Sequence, residues 1–173
     1  MTNNQESIVR NAACRGCGCL LLIAGIGVIN GILLPFYLNN TNRSQQSEAQ
    51  QYVSSMNKAQ QAYFAEKRLF SSSVNALGIG IKTETTNYKY SVRATKQTAF
   101  NYGVSKQPQL KSSVGGVFLV PVKEVEPKAA KDGIITTISI FCQADSPGTI
   151  KPAEPTYEKG KIACGKGTRQ VTK

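Results

Sequence analysis

The strongest constraint on this chain is an apolar run from Leu20 to Leu38, set inside a stretch from Gly16 to Asn42 that carries no charge. In an α-helix the run is about as long as the roughly 30 Å hydrocarbon core of a bilayer. Twelve of its nineteen residues are Leu, Ile, Val or Phe; at about −0.3 to −0.6 kcal/mol each they sum to roughly −5 kcal/mol on insertion scales. Asn30, three glycines and Pro35 return part of that, and insertion remains favoured. The run exceeds the roughly 7 to 15 apolar residues of a secretory signal, and Phe36 and Tyr37 stand near its end in place of a small-residue cleavage site. It reads as an uncleaved anchor. Arg10 and Arg15 precede it and Arg43 follows. That slight bias predicts a cytoplasmic N-terminus in the plasma membrane, with the larger part periplasmic or extracellular.

With 173 residues the chain has room for one such segment and one domain of about 130 residues. Its apolar fraction of 40% allows that domain a core of its own. The formal charge of +11 is scattered from Arg43 to Lys173. It suits acidic partners such as nucleic acid, anionic lipid or polysaccharide, and equally a merely solubilising surface. Five cysteines fall into two groups. Cys14, Cys17 and Cys19 precede the apolar run with a metal-like spacing, but no histidine or fourth cysteine completes a tetrahedral site, so free thiols or lipidation sites fit better. Cys142 and Cys164 lie far beyond it. If that part is outside the membrane, the pair sits in an oxidising compartment and can close a loop of about twenty residues, worth roughly 3 kcal/mol.

Past Pro35 the helical pattern continues, with Ala49, Tyr52, Val53, Met56, Ala59 and Tyr63 at three- and four-residue steps. One helix can therefore run from the membrane into solvent to about Glu66, bent at Pro35. Gly27 and Gly31 stand four apart, a spacing that admits a second membrane helix or is simply tolerated in lipid. Ser71–Ser73, Gly78 and Gly80 punctuate a loop, with Val74, Leu77, Ile79 and Ile81 facing a core. Strand signals follow: Tyr88–Val92 and Phe100–Val104 alternate, while Val117–Val122 and Ile134–Phe141 are more continuously apolar. An antiparallel meander of about four strands fits, covered on one face by the solvent half of the helix. Pro147–Tyr157 reads as an irregular loop before a short strand at Ile162–Cys164, so a Cys142–Cys164 bridge would pin that loop to the sheet.

Two motifs resemble catalytic signatures. Gly160-Lys161-Ile162-Ala163-Cys164-Gly165-Lys166-Gly167 nearly spells a phosphate loop, yet Gly167 replaces the magnesium-binding hydroxyl and no helix is expected next. Ser55-Met56-Asn57-Lys58 matches a Ser-x-x-Lys pattern without its partner motifs, and reads as a solvated helix face. With no histidine, and only Glu124 and Glu126 close together in a loop, acid–base catalysis has little to work with. Catalytic and cofactor-binding residues are therefore assigned to none, and no small-molecule substrate is expected. Lysines interleaved with aromatics between Tyr88 and Lys106 leave nucleic acid as a possible partner.

The order of elements, and several segments within it, resemble type IV pilins and pseudopilins, specifically the cyanobacterial pilin-like G and H family. The matching segments are Leu34-Pro35-Phe36-Tyr37-Leu38-Asn39, Gln46-Ser47-Glu48-Ala49, Ser55 to Tyr63, Leu77-Gly78-Ile79-Gly80-Ile81 and Thr85-Thr86-Asn87-Tyr88-Lys89-Tyr90. The resemblance implies an α+β pilin-like fold: a leader over 1–19, a transmembrane helix over 20–38, an amphipathic helix over 39–66 and a β-rich head over 67–173. It further implies a non-enzymatic subunit of a pilus or type II secretion system that meets other pilins through its N-terminal helix and needs no cofactor. A DNA-binding accessory pilin, or a tethered domain outside any filament, are the alternatives. One departure bears on this. Pilins carry a glutamate near the head of the helix that pairs with a neighbour's N-terminal amine, whereas this chain has Cys14-Arg15-Gly16-Cys17-Gly18-Cys19 and no acid from Ser7 to Ser47.

Overall fold

The computed structural model describes residues 41–126, 128, 133–158 and 160–171. The expected span at 20–38, with Gly27, Gly31 and Pro35, lies outside the described residues, as do Cys14, Cys17 and Cys19. No helix among the described residues is long and apolar enough to cross a membrane.

The chain is helical at residue 41 and stays so to 67 (α1), a stretch without glycine or proline. Its buried stripe is Ala49, Val53, Met56, Asn57, Ala59, Gln60 and Phe64, at helical steps. Two of these are polar, and Phe64 occupies the core position expected of Tyr63, which is half-buried. The helix stops at Arg68, which adopts φ 59° and donates its N–H to Phe64 O at 2.9 Å, a left-handed cap usually given to glycine. Gln60 then fastens the outgoing chain: its Nε2 donates to Ser71 O at 2.8 Å and its Oε1 accepts from Ser71 N at 2.9 Å. A 3₁₀ turn at Asn75–Leu77 and left-handed Gly78 and Gly80 carry the chain to the sheet, with Val74 buried beneath.

Four strands form the expected meander: β1 (Tyr88–Ala94), β2 (Thr98–Ser105), β3 (Ser113–Pro121) and β4 (Ile135–Ala144). A single-turn helix, α2 (Val122–Val125), follows β3. Three short strands complete the fold: β5 (Thr156–Glu158), β6 (Lys161–Ala163) and β7 (Thr168–Gln170). The main sheet is five-stranded and antiparallel, in the order β1-β2-β3-β4-β7, which corrects the expected four. The short strand expected at Ile162–Cys164 forms as β6, but pairs with β5 in a separate two-stranded ribbon.

Alternation sorts the side chains onto two faces. One face packs on α1: Tyr88 and Tyr90 join Ala49, Val53 and Met56, and further along Ala99 and Val117 join Phe64 and Phe70. The other face carries Phe100, Tyr102, Val114, Phe118, Val120, Ile140 and Cys142, against which Tyr157, Ile162 and Cys164 pack.

Backbone approach on the α1 face requires glycine. A Cβ at Gly115 would stand 2.1 Å from Asn57 Oδ1, and one at Gly103 would stand 3.1 Å from Val53 Cγ2. Asn57 cannot swing away freely, because its Nδ2 donates to Ile140 O at 2.9 Å and its Oδ1 accepts from Asn101 Nδ2 at 2.8 Å. Gly115→Ala is therefore expected to cost about 2–3 kcal/mol and Gly103→Ala clearly less, within the range for overpacked cores. Urea unfolding of the two variants measures the difference; equal losses would refute the Asn57 contact as its cause.

Candidate functional site

The second face of the sheet is covered by residues 145–164, a segment with too few apolar side chains to hold itself there by burial alone. It is fastened at several points instead. Cys142 near the end of β4 and Cys164 after β6 form a disulfide, with Cα atoms 5.7 Å apart. In the middle of the loop Glu154 receives Arg93 of β1 as a fork: Nε donates to Oε1 at 2.8 Å and Nη2 to Oε2, while Tyr102 of β2 donates its hydroxyl to the same Oε1. Lys151 places its ammonium 3.8 Å from the centre of the Tyr102 ring. Pro155 is fully buried in the space left by Gly116, where a Cβ would stand 2.6 Å from Pro155 Cγ. Tyr157 stacks near Phe118 and donates its hydroxyl to Glu124 of α2.

A second constellation ties α1 to the start of β1. Glu48 accepts from Thr85 Oγ1 at 2.7 Å, Tyr90 OH at 3.1 Å and Asn87 Nδ2 at 3.2 Å. Burial first, and then the Glu48 carboxylate, push the Tyr88 and Tyr90 phenols well above their ordinary range. The segments Gln46–Ala49 and Thr85–Tyr90, both of which carried the family resemblance, meet here.

Of the residues singled out in the sequence, Cys142 and Cys164 are brought together as expected. Ser55 and Lys58 are exposed on α1, and Gly165-Lys166-Gly167 leads into strand β7 rather than into a helix. No group of three His, Cys, Asp or Glu side chains that could hold a metal comes together among the described residues. Tyr88, Tyr90, Phe100 and Tyr102, which interleave with lysines in the sequence, are all buried and offer no ring for a base to stack on. The sequence reading missed Arg93, Glu154 and Glu48; an acid in a proline-rich loop and one on a helix look alike whether solvated or bonded. A cleft of about 350 Å³ lies beside the loop, lined by Pro147, Ile150, Lys151, Lys166 and Thr168. Ile150 at its rim is 81% exposed.

Replacing both Cys142 and Cys164 by serine is expected to cost about 2–4 kcal/mol in denaturant unfolding. Burial would raise the Glu154 carboxyl, but the hydrogen bonds from Arg93 and Tyr102 outweigh it and hold it below its ordinary value. Glu154 therefore contributes stability fully above a carboxylate's usual pKa of about 4.3, and that contribution is lost as pH falls through the depressed folded value. The stability gap between wild type and Glu154→Gln should hold at neutral pH and close in acid. Tyr102 runs the opposite way. Burial and then Glu154 push its phenol up to about 12, so its contribution is complete below about pH 10 and fades as pH rises past the folded value. A phenolate absorbance step near pH 10 that vanishes in Tyr102→Phe would contradict this.

Comparison with known proteins gives one family match: the model for type IV pilin-like G and H proteins covers residues 46–165. No curated protein and no solved structure gives a significant match. The match spans α1 from Gln46, the meander and the disulfide-closed loop, more than two thirds of the chain. The protein belongs to the type IV pilin-like G and H family.

Proposed function

We propose that this protein is a non-enzymatic minor pilin or pseudopilin-like subunit of a type IV pilus or a related type II secretion system, held in the plasma membrane by residues 20–38 with its head on the outer side. The observation that carries the reading is the coupling of a family-matched head, whose first element is α1, to an apolar run that ends three residues before the first described residue of that helix. The side chains that the fold engages most deeply, Glu48, Asn57, Gln60 and Glu154, hold α1 and the C-terminal loop onto the sheet, as a structural subunit requires. Partners would be other pilins, met through the apolar run, where the Gly27 and Gly31 spacing would admit a second helix and Pro35 would favour a bend.

Processing at the N-terminus separates a filament subunit from a permanently tethered one. In peptide sequencing of the protein from its native membrane, a mature end near Gly16 or Gly18, with bands shared with other pilin-fold subunits after cross-linking, would support filament membership. An intact Met1 together with recovery of the protein alone would overturn filament membership and favour a tethered domain.

A further inference from the structure

Charge is unevenly placed on the head. The first described turns of α1 lie over one end of the sheet, where Glu48 holds the start of β1 and Gln143 near the end of β4 donates to Gln46. Its last turns lie over the other end, where Gln61 donates to Thr137 O and Phe64 packs with Ala99 and Val117. The loops before β1, between β2 and β3, after β4 and before β7 therefore gather at the end where α1 enters.

That end carries eight cations, with Arg43, Lys82, Lys89, Lys106, Lys151, Lys166 and Arg169 exposed and Lys111 half-buried beside Asp145. Lys82 lines a groove with Glu48, Tyr52 and Asn87. Lys106 donates to Glu84 at 2.6 Å and to Thr85 O at 3.0 Å. Lys151 and Lys166 share the cleft beside the C-terminal loop. Arg169 is the cross-strand partner of Gln143, whose side chain reaches Gln46 on α1. The carboxylates here are Glu48, Glu84 and Asp145; Glu48 is surrounded by three neutral donors and Glu84 is paired with Lys106. At the opposite end the described charges come closer to balance: Lys67, Arg68, Lys96, Lys123, Lys128 and Lys161 stand against Glu66, Glu124, Glu126 and Glu158.

We infer that the basic end of the head docks on the anionic surface of a lipid bilayer. This rests on reading residues 20–38 as the membrane segment, since the basic end is the one from which the chain leads back to Leu38. Cations near an anionic bilayer are attracted within about a Debye length, roughly 8–10 Å at moderate salt. Covalent attachment to a membrane segment would hold the head at a high effective concentration there, so a handful of cations suffices. Nucleic acid fits this end less well, because Tyr88, Tyr90 and Tyr102 nearby are buried.

The chain has no tryptophan, so a single indole reporter can be placed in the full-length protein in lipid nanodiscs. Thr86→Trp puts it at the basic end and Gln97→Trp at the opposite end, both exposed positions. With headgroup-quencher lipids, the T86W reporter should be quenched in discs containing phosphatidylglycerol and much less in neutral phosphatidylcholine discs, while the Q97W reporter is quenched in neither. High salt should reverse the effect. Adding K82Q, K166Q and R169Q together to T86W should lower the docking equilibrium roughly 100-fold, at about fivefold per cation, with an unchanged circular dichroism spectrum. A T86W chain that co-elutes with neutral discs yet is quenched equally in both lipids would overturn docking and leave the anchor reading intact. A chain that fails to co-elute with neutral discs would overturn the anchor and docking together. Relief of the T86W quenching by duplex DNA at equal phosphate concentration would overturn docking in favour of nucleic acid.

Discussion

β2 and β3 are buried on both faces, and the rest of the head is arranged to meet that requirement. A single helix can cover one face of a meander, and α1 does so with a stripe long enough to reach from Tyr90 to Val117. The other face presents Phe100, Phe118, Val120 and Ile140, which would otherwise meet water. Among the described residues the chain after β4 covers them, and it is rich in proline and lysine. Such a segment gains little from regular hydrogen bonding. Its position is therefore set by the Cys142–Cys164 bond, the Arg93–Glu154–Tyr102 fork and the seat of Pro155 against Gly116. Distributing these ties along the loop matters more than their individual strength, since each shortens the free chain left to the next.

The α1 face is held by a different means. Asn57 replaces an apolar residue in the centre of the helix stripe, lies directly over Gly115 and bridges Ile140 O to Asn101. A purely apolar contact would let the helix slide by a turn at small cost. A buried amide with fixed partners does not, because any shift leaves its donors and acceptor unpaired in a low-dielectric core. Glu48 at one end of α1 and Gln60 at the other repeat the device, so three polar contacts fix rotation and register while Ala49, Val53, Met56 and Phe64 supply the burial.

These two modes explain what can be read in the sequence. The meander is legible because β1 alternates at an edge while β3, buried on both faces, reads as a nearly continuous apolar run. The amphipathic helix is legible to within a residue of its end, and the disulfide follows from two distant cysteines. What hydropathy cannot register is polar burial. Asn57 and Gln60 look like solvent positions, so the stripe read from the sequence runs to Tyr63 in place of Phe64. β5 and β7 are three residues long and mostly polar, and their pairing comes from where the disulfide and the turn at Gly165–Thr168 deliver the chain. Glu154 is invisible for a related reason: its partner Arg93 is 61 residues away, and no local pattern links them.

The same internal use of polar groups shapes what the surface presents. Glu48, Glu84, Glu124 and Glu154 each accept a hydrogen bond from another part of the fold. Glu48 and Glu124 accept from neutral groups, Glu48 where α1 meets the start of β1 and Glu124 from the Tyr157 hydroxyl. Fewer lysines are engaged in this way: Lys106 and Lys111 donate to neighbouring loops, but long stems favour snorkelling to solvent, and Lys82, Lys89, Lys96 and Lys166 are exposed. With twenty-one basic and ten acidic residues in the chain, the described surface is predominantly positive, and Arg43, Lys82, Lys89, Lys106, Lys166 and Arg169 are exposed where α1 enters. Fold and electrostatics are then one consequence: acids drawn in to fasten a helix and a loop leave the cations to face whatever the head meets.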